Sequence, residues 1–164
     1  MALLTIPIEL QLTPRSQAVM DALYKSLGKE FSEPRAQPVT SALPPIGQPW
    51  PGIAGIYAGT VRGFDGEPDG HLVLLDAVPE EDLSWADAVK WAEDLGDGAR
   101  LPTRFESALL YANLRDKLDT ERWHWTGTQY SSDNAWYQHF YYGYQDCSHK
   151  DVEARARAVR RFSI

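Results

Sequence analysis

Apolar residues recur along this chain with a period that changes several times, and each change marks the edge of an element. Residues 1–12 read as extended. Thr13-Pro14 then starts a helix with proline at its first position, where no backbone donor is needed, and Val19, Leu23 and Leu27 follow at intervals of four before Gly28 ends it. Six prolines between Ser32 and Pro51 (34, 38, 44, 45, 49 and 51) forbid a regular ladder and predict a stiff extended connector. Beyond it, small and apolar residues alternate over Gly52–Val61, Gly63-Phe-Asp-Gly66 is turn chemistry, and His71-Leu-Val-Leu-Leu75 is a second strand. A hairpin is expected there.

A helical period takes over at Asp82–Leu95. Ser84 stands as N-cap, Trp85, Ala88, Val89 and Ala92 share one face, and Gly96 and Gly98 mark the end. A second helix follows Arg100-Leu-Pro-Thr103, with Glu106 three residues after the capping Thr103 and an apolar stripe of Leu109, Leu110 and Leu114. Trp123–Thr128, Ala135–Tyr142 and Arg155–Phe162 then read as three late strands, the last with one solvated arginine face. The expected organisation is an N-terminal arm with a helix over residues 1–33, a proline-rich connector over 34–51, and an α+β domain over 52–164.

The late aromatic positions carry more than one reading. Tyr130, Tyr137, Tyr141, Tyr142 and Tyr144, five of the eight tyrosines, fall between residues 130 and 148 with Ser, Asp, Asn and Gly among them. Tyrosine offers a large rigid amphipathic surface at low entropic cost, and Ser, Asn and Gly adapt their hydrogen bonds; antibody loops use the same alphabet. Aromatic residues at period two also describe an ordinary strand, with Trp136, Gln138, Phe140 and Tyr142 on one side and Tyr137, His139 and Tyr141 on the other. A half-buried strand accounts for one face, but not for a second face and a following Gly143–Ser148 segment that stay aromatic and polar.

Composition narrows the field. At 164 residues and 43% apolar content the chain can build one compact domain with a small appendage. A formal charge of −7 argues against a nucleic-acid partner, which requires an excess of Lys and Arg. One cysteine, Cys147, rules out an internal disulfide, and four scattered histidines give no zinc-ligand spacing, so no metal and no cofactor are expected. The first residues lack a basic leader followed by a long apolar run. Neither a signal peptide nor membrane insertion is expected, and the product is placed in the cytoplasm.

The order Ser84-Trp-Ala-Asp-Ala, Arg100-Leu-Pro-Thr-Arg-Phe-Glu106, Trp123-His-Trp-Thr-Gly127, Ala135-Trp136 and Arg155-Ala-Arg-Ala-Val-Arg-Arg161 resembles the bacterial and phage DUF1566-type family of C-type-lectin-like domains. The resemblance spans about residues 50–164. It implies a C-type-lectin-like fold with two helices and a small twisted antiparallel sheet, here preceded by an N-terminal helical arm, in which the first and last strands pair and the late strands and loops form a ligand surface. The tyrosine-rich segment just before the terminal arginine run is also similar to the variable proteins diversified by retroelements, which mutate adenines, chiefly in AAY asparagine codons. Tyr137, His139, Tyr141, Tyr142, Tyr144, Asp146, Cys147 and Ser148 are reachable from such codons. Trp136, Gln138, Gln145 and Lys150 are not, and would form the fixed framework.

A non-enzymatic, diversified receptor-binding protein is therefore expected, with a ligand-binding surface of Tyr130, Asp133, Tyr137, His139, Tyr141, Tyr142, Tyr144, Asp146, Cys147 and Ser148, over buried anchors Trp123, Trp125 and Trp136. Stacking of a sugar on those tryptophans is the alternative use for them. The ligand would be a protein or glycan on a cell surface, and the arm would join a homo-oligomer or a virion partner. The second expectation, implied by the resemblance to phage proteins, is a phage tail or baseplate component with a fixed domain of this kind, assembled into a phage particle. Related oxidative enzymes of the superfamily depend on cysteine pairs, which this chain lacks, and a Cys147–His149 nucleophile pair has no apparent orienting third group. Glu67-Pro68-Asp69, the nearest approach to a calcium-ligand triplet, reads as turn chemistry.

Overall fold

A computed structural model describes residues 43–64 and 66–164. The expected helical arm over 1–33 and residues 34–42 of the connector lie outside the described residues, as does Asp65. The described part is one compact unit, Leu43–Ile164.

The early hairpin forms from β1 (Gly55–Val61) and β2 (Gly70–Leu75), antiparallel, with a register shift between Tyr57 and Gly59. In its connection Asp69 Oδ1 accepts a hydrogen bond from Gly63 N at 2.7 Å. The end of the proline-rich stretch lies along β1: Gly47 N donates to Tyr57 O, Tyr57 N to Gln48 O and Trp50 N to Gly55 O, each at 2.9 Å. Pro49 has no N–H, and its contact with Ile56 stays a single bridge.

The helices begin where their caps place them. Ser84 caps α1 (Trp85–Asp94) by accepting from Asp87 N, and α2 (Arg104–Leu114) opens on a complete capping box between Thr103 and Glu106. A single 3-10 turn over Arg115–Lys117 ends the second helix.

Three strands follow: β3 (Trp123–Gln129), β4 (Asn134–His139) and β5 (Gln145–His149), forming an antiparallel sheet in that order. The last strand, β6 (Val159–Ser163), returns to the first sheet, whose order is β1-β2-β6. This differs from expectation in four ways. Two three-stranded sheets stand in place of one. The strand expected to run to Tyr142 stops at His139, because the next residue, Phe140, turns into the core and is 2% exposed. The segment after Gly143 pairs as a strand in its own right. The last strand lies against β2, not β1, because Leu72-Val-Leu-Leu75 is buried on both faces and so occupies the centre of the sheet.

That central strand separates two cores. Val73 and Leu75 pack with Ala88 and Ala92 of α1, Trp125 and Ala135, whereas Leu72 and Leu74 pack with Leu110 and Leu114 of α2, Phe140 and Val159. Between the sheets, residues 154–158 run extended, joined to Leu83 and His124 by single bridges, with Ala154, Ala156 and Ala158 buried. The arginine face expected here is only partly exposed, because its side chains are held by neighbouring groups. Arg155 stands 3.3 Å from Asp82 Oδ1 and 3.5 Å from Asp119 Oδ2, and Arg157 donates to the Lys117 and Leu75 carbonyls. Alternation with alanine lets the main chain lie close to the core, and the guanidinium groups satisfy surrounding carbonyls and carboxylates.

Candidate functional site: an aromatic ridge on the second sheet

The β4–β5 connection is held from below. Gly143 N donates to His139 O and His139 N to Tyr144 O, each at 2.9 Å, closing a tight turn. Phe140 anchors it, edge-on to the buried His124 ring at 4.9 Å. Gly143 has φ of 77°, and a Cβ there would stand 2.7 Å from the Tyr111 ring, so backbone conformation and space both require glycine. With the anchor pointing inward, Tyr141, Tyr142 and Tyr144 point outward, 52%, 60% and 63% exposed.

These tyrosines continue a row of rings that starts in the core. Trp125, fully buried, lies 5.5 Å from Tyr137, which stacks on Trp123 at 4.1 Å; His139 meets Trp123 edge-on at 5.1 Å. Tyr142 is 5.7 Å from His139, stacks on Tyr144 at 5.3 Å and meets Tyr141 edge-on at 4.6 Å. Arg115, from the turn after α2, stands 5.8 Å from the Tyr141 ring and 6.0 Å from that of Tyr111. Each contact prefers tilted or offset geometry, and together they stiffen the ridge without burying it.

The opposite face of the sheet is tied down. Gln145 Oε1 accepts from Arg104 Nε at 2.7 Å, while its Nε2 donates to Arg104 O at 2.7 Å and to Gln138 Oε1 at 2.8 Å. Gln138 is 1% exposed, and the Arg104 guanidinium lies 3.7 Å over the Trp136 ring. Lys150 Nζ donates to Ser132 O at 2.8 Å and sits 4.7 Å over Trp85. Trp136, Gln145 and Lys150 therefore join the sheet to α1, α2 and the β3–β4 turn, and Gln138 joins β4 to β5.

The ten residues singled out from sequence fall in four places. His139, Tyr141, Tyr142 and Tyr144 gather at the β4–β5 end. Tyr137, Asp146 and Ser148 share the Trp123 face of the sheet, because Tyr137 pairs with Asp146 and Ala135 with Ser148. Tyr130 and Asp133 sit at the opposite end, where Tyr130 meets Trp136 edge-on at 5.3 Å. Cys147 pairs with Trp136 and so faces the other way, apart from its neighbours. Of the three expected anchors only Trp125 is fully buried; Trp123 and Trp136 are partly exposed. Arg115 and Tyr111 were not anticipated, since nothing in the pattern of α2 distinguishes residues that will meet a turn about 30 positions later.

Two buried titratable groups are shifted from their ordinary values. Burial holds the His124 imidazole at a pKa of about 4, and its Nδ1–H donates to the Arg122 carbonyl at 3.1 Å. Burial pushes the Glu106 carboxyl up, but the paired hydrogen bonds and charge of Arg100, at 2.6 and 2.7 Å, and the Thr103 donors outweigh it and leave its pKa lowered. No hydrogen bond joins Cys147 and His149 among the described residues, and His149 Nδ1 instead lies 3.4 Å from Asp151 Oδ2. Among the described residues no three His, Cys, Asp or Glu side chains converge as a metal site, and no helix is long and apolar enough to cross a membrane. The sequence matches no known protein-family model and no curated protein.

Proposed function

We propose that this protein is a non-enzymatic recognition module of the C-type-lectin-like kind, presenting a diversified tyrosine-rich surface to a protein or glycan on a cell surface. The observation that carries the reading is a division of labour among side chains. Those of Trp136, Gln138, Gln145 and Lys150, which adenine mutagenesis cannot produce from AAY codons, make contacts that tie the sheet together and join it to α1, α2 and the β3–β4 turn. The reachable positions make no such long-range hydrogen bonds among the described residues, although Tyr137 packs against the buried core. Among the described residues, Tyr137, Tyr141, Tyr142, Tyr144, Cys147 and Ser148 make no side-chain hydrogen bond, and those of His139 and Asp146 reach no further than two residues. Such positions can change identity while the scaffold stays intact, which is what a repertoire of binding surfaces requires.

Sequencing the DNA that flanks the gene tests diversification. A reverse-transcriptase gene together with a near-copy of codons 124–161 differing only at adenines is the expected finding. Differences spread over all four bases, or concentrated in the codons for Trp136, Gln138, Gln145 and Lys150, would count against it.

A further inference from the structure

Beside the ridge, the surface forms a hollow of about 400 Å³ between the β3 and β4 ends and the 152–154 segment. Its aromatic wall is the stacked pair Trp123 and Tyr137, and its remaining polar lining is Asp82, Glu121, Glu153 and Arg122. The charges do not balance. Arg122 donates to Asp82 Oδ2 at 2.9 Å, and Arg155 is shared between Asp82 and Asp119. Glu121 and Glu153 have no ion-pair partner among the described residues, and both are exposed at the rim. Asp82 Oδ1 is buried and accepts no hydrogen bond, although Arg155 Nη1 stands 3.3 Å away. Three carboxylates, Asp82, Glu121 and Glu153, therefore share the hollow with one guanidinium beside an aromatic wall. A flat ring beside uncompensated carboxylates attracts a cation that presents both charge and an apolar stem; an anion is repelled by the same glutamates, and a neutral sugar, whose hydroxyls can donate to them, leaves their charge uncompensated.

We propose that this hollow receives one arginine or lysine side chain of a protein ligand, whose neighbouring surface lies on Tyr142 and Tyr144. The assignment rests on the recognition reading of the ridge for its partner, and on the hollow alone for its chemistry. It narrows the ligand class from protein or glycan to a protein with a basic residue at its contact surface.

N-acetyl-arginine amide and its uncharged isostere N-acetyl-citrulline amide, titrated into the full chain and followed by amide and indole NMR shifts, test it directly. The arginine probe is expected to saturate in the millimolar range with shifts centred on Trp123, Tyr137 and Glu121, and the citrulline probe to bind roughly tenfold more weakly. A Glu121→Gln/Glu153→Gln variant, altered only at exposed rim positions, should weaken the arginine probe by about fivefold or more and leave the citrulline probe unchanged. Equal binding of the two probes, or arginine shifts away from Trp123, would overturn the proposal. The triple variant Tyr141→Ala/Tyr142→Ala/Tyr144→Ala keeps the hollow and should keep the probe. Failure of the probe beside a diversified gene would remove the hollow's role alone, leaving the recognition reading in place.

Discussion

Gly143 and His124 show how single residues hold the ridge in place. Replacing Gly143 with alanine puts an L side chain at positive φ and drives its Cβ into the Tyr111 ring; a loss of about 2 kcal/mol in urea unfolding is expected. His124 acts through pH. Its folded pKa, about 4, lies below the ordinary value of 6.5, so the unfolded chain takes up the proton first as pH falls. Its contribution is complete above pH 6.5 and is lost toward pH 4, reaching about 3 kcal/mol at the acid limit. Unfolding free energies measured at pH 7 and pH 4.5 should differ accordingly, and His124→Gln should flatten that difference. Glu106, whose pKa is lowered, contributes stability that is complete above its ordinary value of 4.5 and is lost as pH falls further, so its loss begins at the lower end of the His124 window.

At the scale of elements, the start of α2 is the most exacting construction. Glu106 is 1% exposed, completes the capping box, and is gripped by both terminal nitrogens of Arg100. Arg100→Ala would leave that carboxylate buried without its main partner, and about 3 kcal/mol of stability should be lost; Thr103→Ala, which removes one cap bond, should cost about 1 kcal/mol. Differential scanning calorimetry of the two variants gives the order. Both helices were legible in the sequence because capping is a local code, written within four residues of each start. The hairpin was legible through its alternation and its glycine turn. β5 was not: Gln145-Asp-Cys-Ser-His149 is a polar edge strand with no apolar alternation, and its pairing with β4 follows from a turn that depends on Phe140 finding a pocket beside His124. The return of β6 to β2 was hidden for a similar reason, since strand order depends on which strand can be buried on both faces.

Across the described residues as a whole, two cores on either side of β2 carry the fold, and the aromatic ridge extends from one of them into solvent. The candidate site was legible as composition but not as geometry. The tyrosine-rich stretch marked where exposed rings cluster, yet a strand register puts Cys147 on the face opposite Asp146 and Ser148, and the length of β4 parts Tyr130 from Tyr142. Recognition and stability should therefore be separable by mutation. Equilibrium urea unfolding of Tyr141→Ala/Tyr142→Ala/Tyr144→Ala beside Gln138→Ala/Gln145→Ala measures that separation. The tyrosine variant should stay within about 1 kcal/mol of the parent, and the glutamine variant, which strands Arg104 and opens a buried site, should lose about 2–4 kcal/mol. The reverse order would make the tyrosines part of the core and contradict a surface built for recognition.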